Sequence, residues 1–342
     1  MMQKREDWID YTKAIAIFCV VLLHAGVPNP YRETIYTFVI PLFFFLSGMF
    51  AAPNRHNSFY KHIKSRGLRI LIPYFYFNIL TYLFWLFIGR HFGLDNNTAT
   101  SITTPLIGIL TGQSEYLTHY VPLWFLASLF TVEVIYYLVY KTNKSTRAEI
   151  IILFTFIIIA FLNFKYNSYK LPWGIDIALS MIVFYRVGYL MKDILKTRCQ
   201  ATVKQLFIIL IAFAVNMLAV HLNSEVNVHS NTFGNYFYFL IGAISGIIFS
   251  ISFSKVIALK LQSINLLNFI GRNTLIILSL HLIALSFFKA ILVYVLNIDY
   301  YDYEHTFVYS MIATIASILI LIPIIKLINK YFTRLLGQKH LQ

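Results

Sequence analysis

Charge is scarce in this sequence. Asp, Glu, Lys and Arg supply 12% of its 342 residues, about half the share of an ordinary soluble domain. Water therefore cannot face most of the surface. Cysteine is scarcer still, with only Cys19 and Cys199 present. The first falls in an apolar run and the second in a basic loop, which excludes a disulfide framework and a cysteine metal site. No G-x-S-x-G elbow, P-loop or H-E-x-x-H occurs, and the ten histidines show no metal-ligand spacing. No metal is expected. The net charge is +14, but the basic residues are spread over alternate loops. That pattern does not suit a nucleic-acid partner.

What fills the sequence is apolar side chain, at 58%, with a mean hydropathy of +0.69. Ten runs are long enough to cross a bilayer: 9–27, 33–51, 68–89, 121–140, 149–164, 175–191, 204–222, 234–253, 272–293 and 306–328. The connecting segments separate by charge. One side carries 21 of the 28 Lys and Arg residues, from Lys4, Arg5 and Arg55 to Lys144, Arg198 and Lys339; the other carries five. Acidic residues show the reverse tendency, with Glu33, Asp95, Glu115, Glu225, Asp299, Asp302 and Glu304 on the sparse side. This asymmetry predicts an all-α polytopic membrane helix bundle with both termini in the cytosol, formed by residues 1–342 as one integral-membrane domain. Lys4 and Arg5 before an apolar run mimic a signal peptide. Lys13 interrupts that run, and no A-x-A site follows its end at His24, so the first helix is expected to be retained. The longest outer segment, about 91–120, holds an apolar stretch from Pro105 to Gly112, too short to span, which is expected to be re-entrant or interfacial. Asn96-Asn97-Thr98 reads as a glycosylation sequon, without meaning in a bacterium.

Several polar residues lie where lipid or protein should surround them. Ionisable groups inside a membrane bundle are costly and mark functional sites by default. Lys13 and His24 are eleven residues apart, which puts them on one helix face about 16 Å apart along the axis. Asp10, three residues before Lys13, is placed to pair with it. Ser47 and Gly48 are small residues that suit close helix contact. Arg66 and Arg69 share a face where the third span begins, at phosphate depth, and guanidinium groups grip phosphate bidentately. They equally suit positive-inside flanking. Glu133 is the most deeply placed carboxylate, and Arg186 lies in the inner half of the sixth span. Each can be satisfied by an opposite charge elsewhere in the bundle. Asp176 opens the sixth span, where it complements the helix dipole. His281 falls near mid-membrane, as a structural or a site histidine.

These residues together resemble the acyltransferase-3 family. The resemblance is carried by the basic-x10-His pattern of Lys13 and His24, by Pro41-Leu-Phe-Phe-Phe-Leu-Ser-Gly48, by Arg66-x-x-Arg69 with Pro73, by Leu123-Trp124-Phe-Leu and by the late His281. It implies an integral-membrane O-acyltransferase of surface glycans, with His24 as the catalytic histidine. Lys13 stands where the family usually has arginine, keeping the charge and losing the planar fork. The implied donor is acetyl-CoA, its phosphates at Arg66 and Arg69 and its arm passing Lys13, Ser47 or Arg186. The implied acceptor is a hydroxyl of a cell-surface or lipid-linked glycan, reached from outside, with Glu133, His281, Trp124 and Asp176 as candidates for contacting it or supporting His24. The expected location is a bacterial inner membrane. A proton-coupled transporter or a glycan-export partner is the alternative for the same buried charges.

Overall fold

A computed structural model describes residues 6–53, 58–92, 98–141, 145–167, 169–196, 203–261, 263–299 and 303–337. Cys199, Asn96, Asn97, Asp95, Asp302, Lys4, Arg5, Arg55, Lys144, Arg198 and Lys339 lie outside them. Among the described residues there are helices and no named strand. All ten expected spans are helical: α1 (Asp7–His24), α2 (Tyr31–Met49), α3 (Phe59–Phe84), α5 (Trp124–Tyr140), α6 (Thr146–Tyr166), α7 (Ile175–Lys196), α8 (Val203–Leu222), α9 (Tyr236–Lys260), α11 (Thr274–Ala290) and α12 (Phe307–Tyr331). Two short helices complete the set. One is α4 (Thr103–Thr111), in the apolar stretch of the long outer segment, ending on Gly112 at φ 67°. The other is α10 (Asn265–Arg272), which the sequence reading does not anticipate.

Among the described residues, eight helices are long and apolar enough to cross a membrane by length and composition, and α1 and α2 are not among them. The physical reason is their position. α1 packs against α2, α9, α10, α11 and α12, and α2 against α1, α7, α8 and α9. Protein rather than lipid surrounds them, so α1 tolerates Asp7, Asp10 and Lys13, and α2 tolerates Pro41 and Ser47. The lipid-like residues are on the outside instead. In α6 only 11% of the most apolar window is buried, and in α8 22%. This is a multi-pass membrane protein built around two polar-bearing central helices.

Small residues set the central crossing. A Cβ on Gly48 of α2 would lie 1.9 Å from the Tyr185 carbonyl oxygen of α7, and one on Gly188 would lie 2.0 Å from that of Phe45. The two backbones touch through paired glycines, the packing device of membrane helices. Gly48→Ala is therefore expected to cost about 3 kcal/mol, because the obstacle is backbone and cannot rotate away. Thermal unfolding of detergent-solubilised protein checks this; a midpoint equal to wild type would show that α2 and α7 do not pack this tightly.

Candidate active site

Five helices line one internal cavity of about 440 Å³. α1 contributes Lys13, Ile17, Val20 and His24, a single stripe three turns long. α2 contributes Ser47 and its C-terminal cap Phe50, α3 Arg66 and Arg69, α5 Trp124 and Glu133, and α11 Thr274 and Leu278. The volume is that of an ordinary small-ligand site. Its walls are apolar between two polar ends, as the spacing of Lys13 and His24 dictates.

At the end nearer the basic face, Arg69 and Phe50 are exposed, and the Lys13 ammonium lies over the Phe50 ring at 4.8 Å from its centroid. Arg66 sits deeper, with Nε 3.1 Å from Oε2 of Glu133. The Arg66 and Glu133 side chains retain 16% and 7% of their surface, so the pair is largely withdrawn from solvent yet faces the cavity. The opposite charge anticipated for Glu133 is thus Arg66, a residue also expected at the donor phosphates.

At the far end the His24 imidazole is exposed to the cavity. Its ring packs against that of His281, centroids 4.9 Å apart and planes tilted by 52°. His281 is fully buried and does not line the cavity. Its Nδ1 lies 2.9 Å from the Leu278 carbonyl oxygen, 3.1 Å from that of Ile277 and 3.2 Å from the Tyr120 hydroxyl. Tyr120 in turn donates to the Leu278 oxygen at 3.1 Å and accepts from the Leu282 N–H at 3.2 Å. Two carbonyls at Nδ1 favour the tautomer with the proton there. Nε2 is then a bare lone pair, buried without a hydrogen-bond partner. The geometry provides one accessible imidazole, supported by a second whose orientation is fixed.

A family model described as an acyltransferase domain matches residues 6–326. The chain belongs to that family. No curated protein and no solved structure matches it. It is a membrane acyltransferase, and the transporter reading of its buried charges gives way to transfer chemistry.

The acyltransferase places three other expected site residues away from the cavity. Asp10 is fully buried one turn before Lys13, and its Oδ2 accepts from Arg272 Nε at 3.1 Å, which ties α1 to α10. Arg186 donates to the Tyr136 hydroxyl at 2.7 Å and to Glu149, with its guanidinium carbon 4.3 Å from the Tyr140 ring centroid. An acidic partner and an aromatic cage satisfy it between α5, α6 and α7, away from the cavity. Asp176 is buried, 3.9 Å from Lys170 Nζ.

Two residues of the acyltransferase site are not distinguishable by sequence. Tyr120 lies in the link to α5 and meets His281 across 161 positions. His229 lies in the α8–α9 link, 5.9 Å from the ring of Trp124, which lines the cavity. Lys170 Nζ donates to the His229 carbonyl at 2.8 Å. Burial, and secondarily the Lys170 charge, hold the His229 imidazole down at about 4. It is therefore neutral at physiological pH, a packing partner for Trp124 and not a second cation near His24.

Proposed function

We propose that this acyltransferase moves an acetyl group from cytosolic acetyl-CoA to a hydroxyl of a cell-surface or lipid-linked glycan, with His24 as base or as transient acyl acceptor. The observation that carries this reading is the single cavity joining two arginines at the basic end to an accessible histidine at the other. The charge pattern orients the arginines to the cytosol, where acyl-CoA is made. The nucleotide phosphates would rest at Arg69 and Arg66, and the uncharged pantetheine arm would follow the apolar stripe of Ile17 and Val20. The thioester would then stand beside His24, deep in the membrane near the acceptor's side.

In direct transfer the acceptor oxygen attacks the thioester carbon. The C–O bond forms, the C–S bond breaks, His24 takes the hydroxyl proton and returns it to the departing thiolate. Imidazole suits this role because its neutral form offers a nitrogen lone pair that can take the hydroxyl proton. In the alternative order a His24 nitrogen attacks the thioester, the C–N bond forming as the C–S bond breaks and CoA leaving as thiol with the ring's proton; the acceptor hydroxyl then attacks the acetyl carbon, the C–N bond breaks and the hydroxyl proton returns to the ring. The test is purified protein in nanodiscs with [14C]acetyl-CoA and no acceptor. CoA release supports the reading, and label retained on the protein selects the second order. Folded protein that neither binds nor turns over acetyl-CoA would overturn it.

Lys13 supplies positive charge part-way along the arm's route. Lys13→Arg is expected to keep transfer within about threefold, and Lys13→Ala to lower it by about tenfold, the scale of one charge-assisted hydrogen bond. Equal rates in all three proteins would remove Lys13 from the site.

A further inference from the structure

The short helix α10 lies in the link from α9 to α11, on the basic face, and is bound tightly against the first turns of α1. A Cβ on Gly271 would lie 1.9 Å from the Asp10 carbonyl oxygen, so the two backbones touch. The Tyr11 hydroxyl accepts from the Ile264 N–H at 2.7 Å, and Asn268 donates to Asp7 Oδ1 at 3.2 Å. The last residue of α10, Arg272, is therefore fixed in place at its backbone.

Its side chain is fixed as well. Arg272 Nε donates to Oδ2 of Asp10 at 3.1 Å. The carboxylate keeps 1% of its side-chain surface, while Arg272 keeps 49%. A guanidinium is a planar fork of donors, and Asp10 engages only its Nε. The terminal amino groups make no hydrogen bond to a described residue. A buried carboxylate thus holds one side of an arginine whose other side is open. Little side-chain freedom is left to lose when such a fork meets an anion.

This guanidinium stands beside the basic end of the acyl-transfer cavity. Lys13, one turn after Asp10 in α1, lines that cavity, and so does Thr274, which opens α11 just after Arg272 and Asn273. A donor as large as acetyl-CoA exceeds a cavity of about 440 Å³, so its adenosine end must lie outside, on the basic face. With the diphosphate at Arg66 and Arg69, the 3′-phosphate of the ribose is the anion left beyond the lining. It is a monoester, close to dianionic at neutral pH, and a guanidinium grips such a group bidentately.

We propose that Arg272, held by Asp10, binds the 3′-phosphate of the acyl-CoA donor at the cytosolic rim of the cavity. This rests on the acetyl-CoA reading above and deepens it by assigning one phosphate to one residue. Asp10 is then a positioning residue that acts through Arg272.

The experiment measures binding of acetyl-CoA and of acetyl-3′-dephospho-CoA to the purified full chain in nanodiscs by titration calorimetry. Wild type is expected to prefer acetyl-CoA by about tenfold, the scale of a charge-assisted hydrogen bond. Arg272→Gln alone leaves a buried carboxylate without its partner. Asp10→Asn with Arg272→Gln removes both charges together and should keep the thermal midpoint. That double variant is expected to bind the two ligands equally, with its affinity for the dephospho form unchanged. Arg272→Lys should keep part of the preference, since it retains the charge and loses the fork. A purely structural tie between α1 and α10 would weaken both ligands alike and preserve the preference, and that result overturns the proposal. Wild type that binds both ligands equally also overturns it while keeping the donor reading. Folded wild type that binds neither removes the donor reading, and this assignment with it.

Discussion

His24→Ala is expected to lower CoA release from acetyl-CoA by about 10³-fold, the middle of the range for losing a positioned acid–base group. The protein should stay folded and inserted, because the ring is exposed to the cavity and fills no core position. Among the described residues, His24 is the single histidine of the cavity lining. His281 is fully buried behind it and does not line the cavity. Two further measurements separate chemistry from shape. Free imidazole added to His24→Ala should restore part of the rate, filling the space that the His24 ring leaves in the cavity. The KM for acetyl-CoA should change little, because the arginines lie at the other end. Near-wild-type turnover in His24→Ala, with the same thermal midpoint, would end its role as base and as acyl acceptor together.

The helices were legible because membrane solvent imposes length and composition on each span. All ten appear where the apolar runs place them, and the apolar stretch after Pro105 is helical as well. α10 was not legible. Its eight residues are amphipathic, too short for a span, and run into the next helix across Asn273. Within the site, the stripe from Lys13 to His24 follows from helical periodicity alone. Partners across helices do not. Glu133 demands a counter-charge, but only the α3–α5 packing makes it Arg66. Arg186 had the same sequence signature as a site residue. Its satisfaction by Glu149 and three tyrosines depends on α6, whose placement against α7 no local rule supplies. His229 looked like any loop histidine until the α8–α9 link brought it onto Trp124.

The Arg66–Glu133 pair gives the second large effect, and it separates two roles that a single substitution confounds. Arg66→Ala leaves a largely buried carboxylate without its partner, which typically costs about 3–5 kcal/mol. A loss of activity in that variant says nothing about the donor. Replacing both residues by methionine removes the charge and its counter-charge together, and such swaps are commonly neutral for stability. The double variant is therefore expected to recover the wild-type thermal midpoint. If Arg66 serves only to neutralise Glu133, the KM for acetyl-CoA recovers with it. If the guanidinium also grips donor phosphate, as its place in the cavity lining argues, the KM stays raised by about tenfold, the equivalent of about 1.4 kcal/mol. Arg69 is the control. Exposed at the cavity's basic end, it should raise the KM when changed to alanine and leave stability within about 0.5 kcal/mol. Each KM effect should shrink as salt rises, because exposed charge is screened over about 8 Å at physiological ionic strength. A double variant with wild-type KM, alongside an indifferent Arg69→Ala, would move the donor's phosphates away from α3 altogether.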